Sequence, residues 1–365
     1  MSAFYEKVEV VGAVTVVKGR GIEGVKEQVL SLSKGGFVAI LYDVNLKEYA
    51  ESLAVALARE KHQVLSTCLV SEIPDHTRFV LGVGGGAVAY AVRRKATELG
   101  VDSGFVFSAP TTDTILTKYK NLSSFKVVFL DVDLLFGCPK ECLASGWGIA
   151  LTEPLRAFER YYENKVLDRA EIFDAPPALP QNANPYDLAL HLLRLSPNNH
   201  HDDNATVMAK VLYDSAKRQG VRPRLIGEYK FVCGSILSTL YENFLSSPSI
   251  DCMIPPAHDQ NLEKLRRLTG RSMENLLKAF DFFDSDSYFR VGYILSEYRL
   301  DLLERLKSTD FHSAQKRWRR LYADAGYWLK SAFTTHSLLE AMKLSAEIGD
   351  GLLRYIAESG FAEVY

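Results

Sequence analysis

Three consecutive glycines, Gly84, Gly85 and Gly86, mark the part of the sequence where anion chemistry is most clearly indicated. They follow an apolar stretch and precede a helical pattern, which predicts a turn from a strand into a helix. Glycines there can adopt positive φ and let backbone N–H groups approach a phosphate, while the helix N-terminus adds partial positive charge. A closely packed turn is the alternative. Because three adjacent glycines cost much chain entropy, we predict anion binding.

The glycine run does not complete the fingerprint of an ordinary dinucleotide-binding unit, which needs an acid at the end of the next strand, about 20 residues on. Asp102 lies at that distance but precedes the strand predicted at 105–108. Asp43 instead follows the strand predicted at 37–42, where its carboxylate would accept hydrogen bonds from ribose hydroxyls. Asp43 could equally cap the helix that begins near Leu46.

A polar loop follows the strand predicted at 105–108 and contains Pro110, Thr111, Thr112 and Asp113. Proline fixes φ and stiffens the loop, and the hydroxyls are short hydrogen-bonding groups of the kind that line nucleotide or polyol sites. Clusters of threonine and aspartate are also common in plain turns. The loop is therefore a candidate binding element, with a turn as the alternative.

The elements that position these loops alternate along the first part of the chain. Strands are predicted at 8–17, 37–42, 64–70, 78–83, 105–108 and 127–130, and helices at 22–32, 46–60 and 87–99. This alternation predicts a parallel sheet with right-handed crossovers. Beyond about Gly146 the strand pattern ends, and a proline-rich segment leads into a series of helical patterns. We predict an α/β domain at 1–146 and an all-helical domain at 147–365.

Composition excludes several classes of protein. The 365 residues are 47% hydrophobic and 24% charged, as in ordinary globular proteins, and the formal charge of -2 gives no basic excess for nucleic acid or anionic membranes. No apolar run is long enough to cross a bilayer, and the N-terminus lacks the pattern of a signal peptide. Five thinly spread cysteines favour reduced thiols. We expect a cytoplasmic protein with a small-molecule substrate and no nucleic-acid or membrane partner.

The order of these features resembles the superfamily of dehydroquinate synthases, glycerol dehydrogenases, iron-containing alcohol dehydrogenases and glycerol-1-phosphate dehydrogenases. In it, a strand-end aspartate, a glycine loop before a helix and a Pro-Thr-Thr loop follow one another as they do here. The stretches 131–148 and 227–230 resemble further family segments, and 346–355 resembles glycerol-1-phosphate dehydrogenases in particular. The resemblance implies an α/β nucleotide-binding domain with a parallel sheet, followed by an all-α domain. Since relatives often assemble as dimers, it also implies a homodimer.

The resemblance assigns roles to the three loops. It implies that NAD or NADP binds with its pyrophosphate on residues 84–86 and its adenosine ribose on Asp43. Thr111 and Thr112 would line the nucleotide, and Asp113 would be the carboxylate on the substrate side. These assignments follow from the resemblance and not from spacing.

The resemblance further implies a divalent metal held by an acid and two histidines of the helical domain. The corresponding positions here are Ile149, Lys210 and Ile226. An isoleucine side chain cannot ligate a cation, so we predict a degenerate metal site without the family's ligands. Substitution by other residues is the alternative. The candidates are Glu153, one helical turn after Ile149, the cluster His200, His201, Asp202 and Asp203, and the pair His258 and Asp259.

Three functions remain open. The first, which we predict, is an NAD(P)-dependent oxidoreductase acting on a small polyol, alcohol or sugar phosphate, with a rearranged metal site or a protein acid/base. The second is a catalytically inactive homologue that binds a nucleotide or phosphate, and the third is a sugar phosphate cyclase of the dehydroquinate synthase kind. Candidates for the acid/base are Lys118, Lys120, Lys210, Glu228, Lys230 and the histidines.

Overall fold

The structure, a computed structural model, describes most of the chain. The described residues are 6–11, 13–117, 121–168, 179–180, 182–196, 203–221, 224–247, 285–322, 335–348 and 352–358. The chain divides into two compact units. The sheet unit consists of Met1–Gly146 and Pro176–His200, and the helical unit of Trp147–Ala175 and His201–Tyr365.

A mostly parallel sheet of seven strands forms the core of the sheet unit. In chain order the strands are β1 (Glu6–Val11), β2 (Val14–Gly19), β3 (Val38–Tyr42), β4 (Val64–Thr67), β5 (Phe79–Gly84), β6 (Asp102–Phe107) and β7 (Val127–Asp131). They are arranged in the order β1-β2-β7-β6-β5-β3-β4, and β1 alone runs antiparallel to its neighbour. The predicted parallel α/β sheet is confirmed.

The first predicted strand is wrong in one respect. The stretch 8–17 is not a single strand, because the chain reverses near Ala13 and forms the antiparallel pair β1 and β2. Val11 pairs with Val14 across this reversal, so the β-branched residues continue on both sides of the turn. Gly12, in the middle of the stretch, is the turn signal that the apolar pattern concealed.

Helices cover both faces of the sheet, as burial of parallel strands on both sides requires. The first three helices are α1 (Ile22–Ser33), α2 (Lys47–Arg59) and α3 (Gly86–Leu99). The apolar sides of α1 and α2 pack in one cluster that includes Val25 and Leu53, whereas α3 packs in the other through Val92 and Ala96. The strands contribute alternating residues to the two clusters.

Three further helices begin in the sheet unit: α4 (Val132–Gly137), α5 (Lys140–Val166) and α6 (Pro185–Leu195). The prediction assigned all of 147–365 to a helical domain, whereas Pro176–His200, which contains α6, belongs to the sheet unit. The reason is that Tyr186, Leu190 and Leu193 of α6 are buried with α3 in the core beside the sheet. Helical periodicity shows that a helix is amphipathic but not which surface covers it.

The helical unit contains most of α5 and the helices that follow α6. Those described are α7 (Asn204–Arg218), α8 (Ile226–Ser246), α9 (Ser285–Ser308), α10 (Phe311–Leu321), α11 (Thr335–Ile348) and α12 (Leu352–Glu358). No strand occurs after β7 among the described residues. The predicted helices 261–268 and 273–280 lie outside the described residues. In the part of the chain that is described, no helix has the length and apolarity needed to span a bilayer.

Candidate functional site

The three loops singled out in the sequence meet at one edge of the sheet. They follow β3, β5 and β6, which are adjacent parallel strands, so their carboxyl ends lie side by side. The backbone N–H of Asp43 donates to the carbonyl of Val83 (3.0 Å), and that of Ser108 donates to the carbonyl of Gly84 (3.2 Å). These hydrogen bonds continue the strand pairing by one residue and hold the starts of the three loops next to one another.

The glycines of the loop are needed for close approach and not for an unusual backbone conformation. None of the three adopts positive φ, which corrects that part of the sequence argument. A Cβ on Gly85 would lie 3.1 Å from Oγ1 of Thr111, and one on Gly86 would lie 2.9 Å from Cγ2 of Thr112. A Cβ on Gly84 would lie 3.4 Å from Cβ of Asp43. The glycine loop is therefore packed between the two other predicted elements.

The N-terminus of α3 is left without a side-chain cap. Gly85 occupies the cap position, and no acidic residue lies in the first turn. The first backbone bond into the helix runs from Ala89 N–H to the carbonyl of Gly85 (3.0 Å), so the amides of Gly86, Ala87 and Val88 precede it. By contrast, α4, α6 and α7 begin with capping side chains, which are those of Asp131, Asn184 and Asp203. The amides of α3 are thus suited to an anion.

Asp43 is an N-cap, which was one of the two roles that the sequence allowed, and it caps through one carboxylate oxygen. Oδ1 accepts hydrogen bonds from the backbone N–H of Asn45 (3.0 Å) and from Nδ2 of Asn45 (2.9 Å). This cap begins the short 3-10 turn Val44–Leu46 that leads into α2. A carboxylate has a second oxygen with its own lone pairs, so capping through Oδ1 does not exhaust its capacity to accept.

The loop after β6 contains the predicted threonines and Asp113. Oγ1 of Thr112 bonds to Oγ1 of Thr114 (2.8 Å) and accepts from the backbone N–H of Thr114 (3.2 Å), which is a local turn. Thr111 and Thr112 are half-buried beside the glycines, whereas Asp113 is only 7% exposed. The loop is thus both a turn and a neighbour of the glycine loop.

Arg93 anchors this loop, and the sequence analysis did not find it. It lies on α3, is only 2% exposed, and donates to three backbone carbonyls, those of Ile115 (3.2 Å), Thr117 (2.8 Å) and Ser123 (2.9 Å). Its guanidinium also lies 5.9 Å from the ring centroid of Phe125. The available signal was a charged residue on the apolar face of a helix, directly after Val92 of the core.

The loop cluster lies at a switch in the path of the chain. After β3 the chain enters α2 on one face of the sheet, and after the neighbouring β5 it enters α3 on the other face. In open parallel sheets a crevice forms where adjacent strands lead to opposite faces, and ligands bind there. In this sheet the switch lies between β3 and β5, beside Asp43 and the glycine loop.

The metal positions implied by the resemblance lie on three helices of the helical unit. Ile149 is buried in α5, Lys210 lies in α7, and Ile226 is the first residue of α8. A Cβ on Gly148 would overlap the carbonyl oxygen of Gly227, so α5 and α8 touch through their backbones beside the two isoleucines. The structure thus brings two of the three positions to one helix crossing, where both are apolar.

One turn beyond each isoleucine lies a buried charge, Glu153 on α5 and Lys230 on α8. These two form a charge cluster with Arg156 and Asp203, in which every side chain is less than 10% exposed. Arg156 lies 3.3 Å from Oε2 of Glu153 and 3.9 Å from Oδ2 of Asp203, and Nζ of Lys230 lies 2.9 Å from Oδ2 of Asp203. Burial alone would raise the pKa of Asp203, but Lys230 and Arg156 outweigh it and lower that pKa to about 2.

Next to the charge cluster, Glu159 of α5 accepts two hydrogen bonds through Oε1. The donors are the hydroxyl of Tyr241 (2.7 Å) and Nδ2 of Asn204 (3.0 Å). Burial and the neighbouring charge of Asp203 raise the pKa of Glu159 to about 7, and these hydrogen bonds oppose the rise. Ser345 of α11 donates to Oδ1 of Asn204 (3.0 Å), which extends the network from α5, α7 and α8 to a fourth helix.

Several candidates from the sequence cannot be placed. His200, His201, His258, Lys118 and Lys120 lie outside the described residues. Within the described ranges, no group of three or more His, Cys, Asp or Glu side chains is arranged to hold a metal ion. The predictions about metal ligands therefore stay predictions. Glu228 is fully buried in the first turn of α8.

No protein-family model matches the chain, and no curated protein matches it. Solved structures do. A 1,3-propanediol oxidoreductase is similar with a TM-score of 0.54 and 15% identity, over 99% of this chain and 100% of that one. A glycerol dehydrogenase from Schizosaccharomyces pombe has a TM-score of 0.45 and 14% identity, over 87% and 94% of the two chains. An iron-containing alcohol dehydrogenase has a TM-score of 0.46 and 12% identity, over 94% and 99%.

The likeness to the 1,3-propanediol oxidoreductase is the one on which the fold assignment rests. At 15% identity it shows the fold alone. The chain thus has the fold of that oxidoreductase, with an α/β part followed by a helical part as predicted.

Proposed function

We propose that this protein binds NAD or NADP at the sheet edge formed by β3, β5 and β6, and that it is an oxidoreductase acting on a small polyol, alcohol or sugar phosphate. The observation that carries the proposal is the meeting of three features at the switch in chain direction. These are the uncapped N-terminus of α3, the carboxylate of Asp43 and the hydroxyls of Thr111 and Thr112.

The residues present fit a dinucleotide. A pyrophosphate needs uncrowded N–H donors, and the amides of Gly86, Ala87 and Val88 precede the first bond of α3 without a side-chain cap. A ribose needs a hydroxyl acceptor, and the second oxygen of Asp43 can supply it while Oδ1 keeps its cap. Thr111 and Thr112 would border the nucleotide. The cofactor would accept or deliver hydride, while this chain would hold and orient it.

The substrate class is inferred from the similar solved structure. The similar 1,3-propanediol oxidoreductase is named for a small diol, which favours a small alcohol or polyol here. Asp113 would lie on the substrate side of the loop, although its burial requires the loop to move before a substrate reaches it. We propose that the metal site of the resemblance is degenerate, since two of its positions are isoleucines at the crossing of α5 and α8.

A second function is favoured by those same isoleucines. A protein that holds a dinucleotide but lacks a group to polarise an alcohol oxygen would bind without turning over. Such a binding protein would keep the sheet edge intact and would show no hydride transfer on any substrate. The binding and activity measurements together separate the two functions.

The binding test uses isothermal titration calorimetry with NAD, NADP and NADH. The wild type should show saturable binding to at least one of them. Gly85→Val places a branched side chain at the cap position of α3, so it should weaken binding by about tenfold or more through lost N–H contacts to phosphate. Gly137→Ala is the matched control, because a Cβ there meets nothing within 4 Å. Absence of binding to all three nucleotides would refute the cofactor assignment.

The activity test follows absorbance of the reduced nicotinamide on a panel of polyols, alcohols and sugar phosphates. Turnover that is lost in Gly85→Val but kept in Gly137→Ala supports the oxidoreductase. Nucleotide binding without turnover on the panel favours the binding protein. The predicted cytoplasmic location, the homodimer and the absence of nucleic-acid and membrane partners stay predictions.

A further inference from the structure

The charge cluster of the helical unit pairs buried carboxylates with cations of the protein itself. Its two carboxylates, Glu153 and Asp203, face two protein cations, Arg156 and Lys230, at ion-pair distances between 2.9 and 3.9 Å. All four side chains are nearly inaccessible to water. Burying an unpaired charge costs several kcal/mol, so both cations are needed for the cluster to exist in the folded state.

A divalent metal does not fit this cluster. Hard cations take carboxylate oxygens as ligands, but Oδ2 of Asp203 is paired with both Lys230 and Arg156, and Oε2 of Glu153 is paired with Arg156. A metal entering here would meet two positive groups at close range. The positions that would supply other ligands, Ile149 and Ile226, are apolar.

We infer that Lys230 and Arg156 take the place of a bound divalent cation in this unit: they provide the two positive charges that neutralise Asp203 and Glu153. The helices that the resemblance associates with metal ligands are the ones that carry the cluster, since Glu153 and Arg156 lie on α5, Asp203 caps α7 and Lys230 lies on α8. The ion pairs of the cluster connect these three helices through protein side chains, where a metal site would connect them through a bound ion. The helical unit therefore folds without a metal.

The positions of Glu153 and Lys230 relate the charge cluster to the implied metal positions. Glu153 and Lys230 each lie four residues after one of the two isoleucines, which puts them on the same helical faces, one turn further along. Asp203 is held in place twice, because its Oδ1 also accepts from the backbone N–H of Thr206 (2.7 Å). A carboxylate fixed by a cap and two cations has little freedom to turn toward a metal.

The test compares Lys230→Gln with Lys230→Arg by thermal unfolding, with and without Mn²⁺ or Zn²⁺, together with elemental analysis of the purified wild type. The wild type should contain no stoichiometric divalent metal, and neither EDTA nor added cations should change its Tm. Lys230→Gln should lower Tm by about 10 °C, because it leaves a buried carboxylate under-compensated. Added Mn²⁺ should restore part of that loss in Lys230→Gln but should not raise the Tm of Lys230→Arg.

Three results would overturn the inference: stoichiometric metal in the wild type, a lower wild-type Tm in EDTA, or equal responses of wild type and Lys230→Gln to Mn²⁺. If Lys230→Gln does not fold, the double variant Lys230→Gln/Glu153→Gln, which removes one cation and one carboxylate, tests the inference. Folding of the double variant supports charge replacement, whereas its failure to fold contradicts it. These readouts are metal content and stability, so their failure is distinguishable from failure of nucleotide binding in the sheet unit.

Discussion

The glycine loop of the sheet unit and the charge cluster of the helical unit differ in whether their polar groups are paired within the protein. At the sheet edge, α3 begins without a capping side chain, and its first amides have no partner within the helix. In the helical unit, four charged side chains are buried and paired with one another. The first arrangement leaves interaction capacity for a ligand, whereas the second uses it within the protein.

This difference indicates where chemistry can occur. Unsatisfied but accessible N–H groups cost little in water and gain much when an anion arrives. A balanced buried cluster is strongly destabilised when either partner is removed, so it constrains the fold. Substitutions in the two regions test that contrast.

Asp203→Asn should destabilise the protein by about 3–5 kcal/mol, because it leaves the charges of Lys230 and Arg156 buried without one of their two carboxylates. Asparagine can still cap α7, so the loss reports the charge and not the cap. Urea unfolding measures it. The control Asp214→Asn, exposed on the same helix, should change stability by less than about 0.5 kcal/mol. Equal losses of unfolding free energy in the two variants would show that the ion pairs of Asp203 do not stabilise the fold.

Arg93→Met should destabilise the sheet unit by about 2–4 kcal/mol, since three backbone carbonyls lose a charged donor. Nucleotide affinity should fall as well, because the anchored loop carries Thr111 and Thr112. Arg94→Met, at an exposed position next to it, is the control. If both variants bind nucleotide and unfold alike, Arg93 does not position the loop.

Glu159→Gln should change the pH dependence of stability. The pKa of Glu159 is about 7 in the folded state and near 4.5 when unfolded, so the folded state binds more protons between these values. The wild type should therefore lose up to roughly 3 kcal/mol as pH rises from 4.5 through 7, a loss absent from the variant. The free energy of unfolding in urea is measured at about pH 5 and about pH 8, which lie on either side of the folded-state pKa. A constant difference between variant and wild type would contradict the assignment.

Asp43→Asn should give the smallest effect, a loss of NAD affinity of about five- to tenfold, or about 1 kcal/mol. Asparagine keeps the cap on the turn Val44–Leu46, so stability should hardly change. NADP affinity should fall less, because the variant removes a negative charge near the ribose. Calorimetry with both nucleotides measures the ratio of NAD affinity to NADP affinity in the wild type and in the variant. An unchanged ratio would show that Asp43 acts only as a cap.

The sheet edge could largely be read from the sequence, because its features are local. The apolar runs predicted the ends of β3, β5 and β6 to within one residue, although β6 begins at Asp102 and not at residue 105, and the glycines marked the start of α3. What failed was the reason for the glycines, which depends on the approach of Thr111 and Thr112 from another loop. Sequence order cannot show that contact.

The charge cluster could not be predicted, because it depends on which helix faces meet. Glu153 and Arg156 have an ordinary (i, i+3) spacing that is typical of an exposed helix pair. Only the packing of α5 against α7 and α8 turns them inward, beside Asp203 and Lys230. The same limit explains α6, whose residues Tyr186, Leu190 and Leu193 are buried in the core beside the sheet.

The most direct test of the account is a calorimetric titration of the wild-type protein with NAD and with NADP, each in the presence and absence of EDTA. The account predicts saturable binding of at least one dinucleotide, with the same affinity whether or not the chelator is present. Binding that disappears in EDTA, or the absence of binding to both nucleotides, would contradict it.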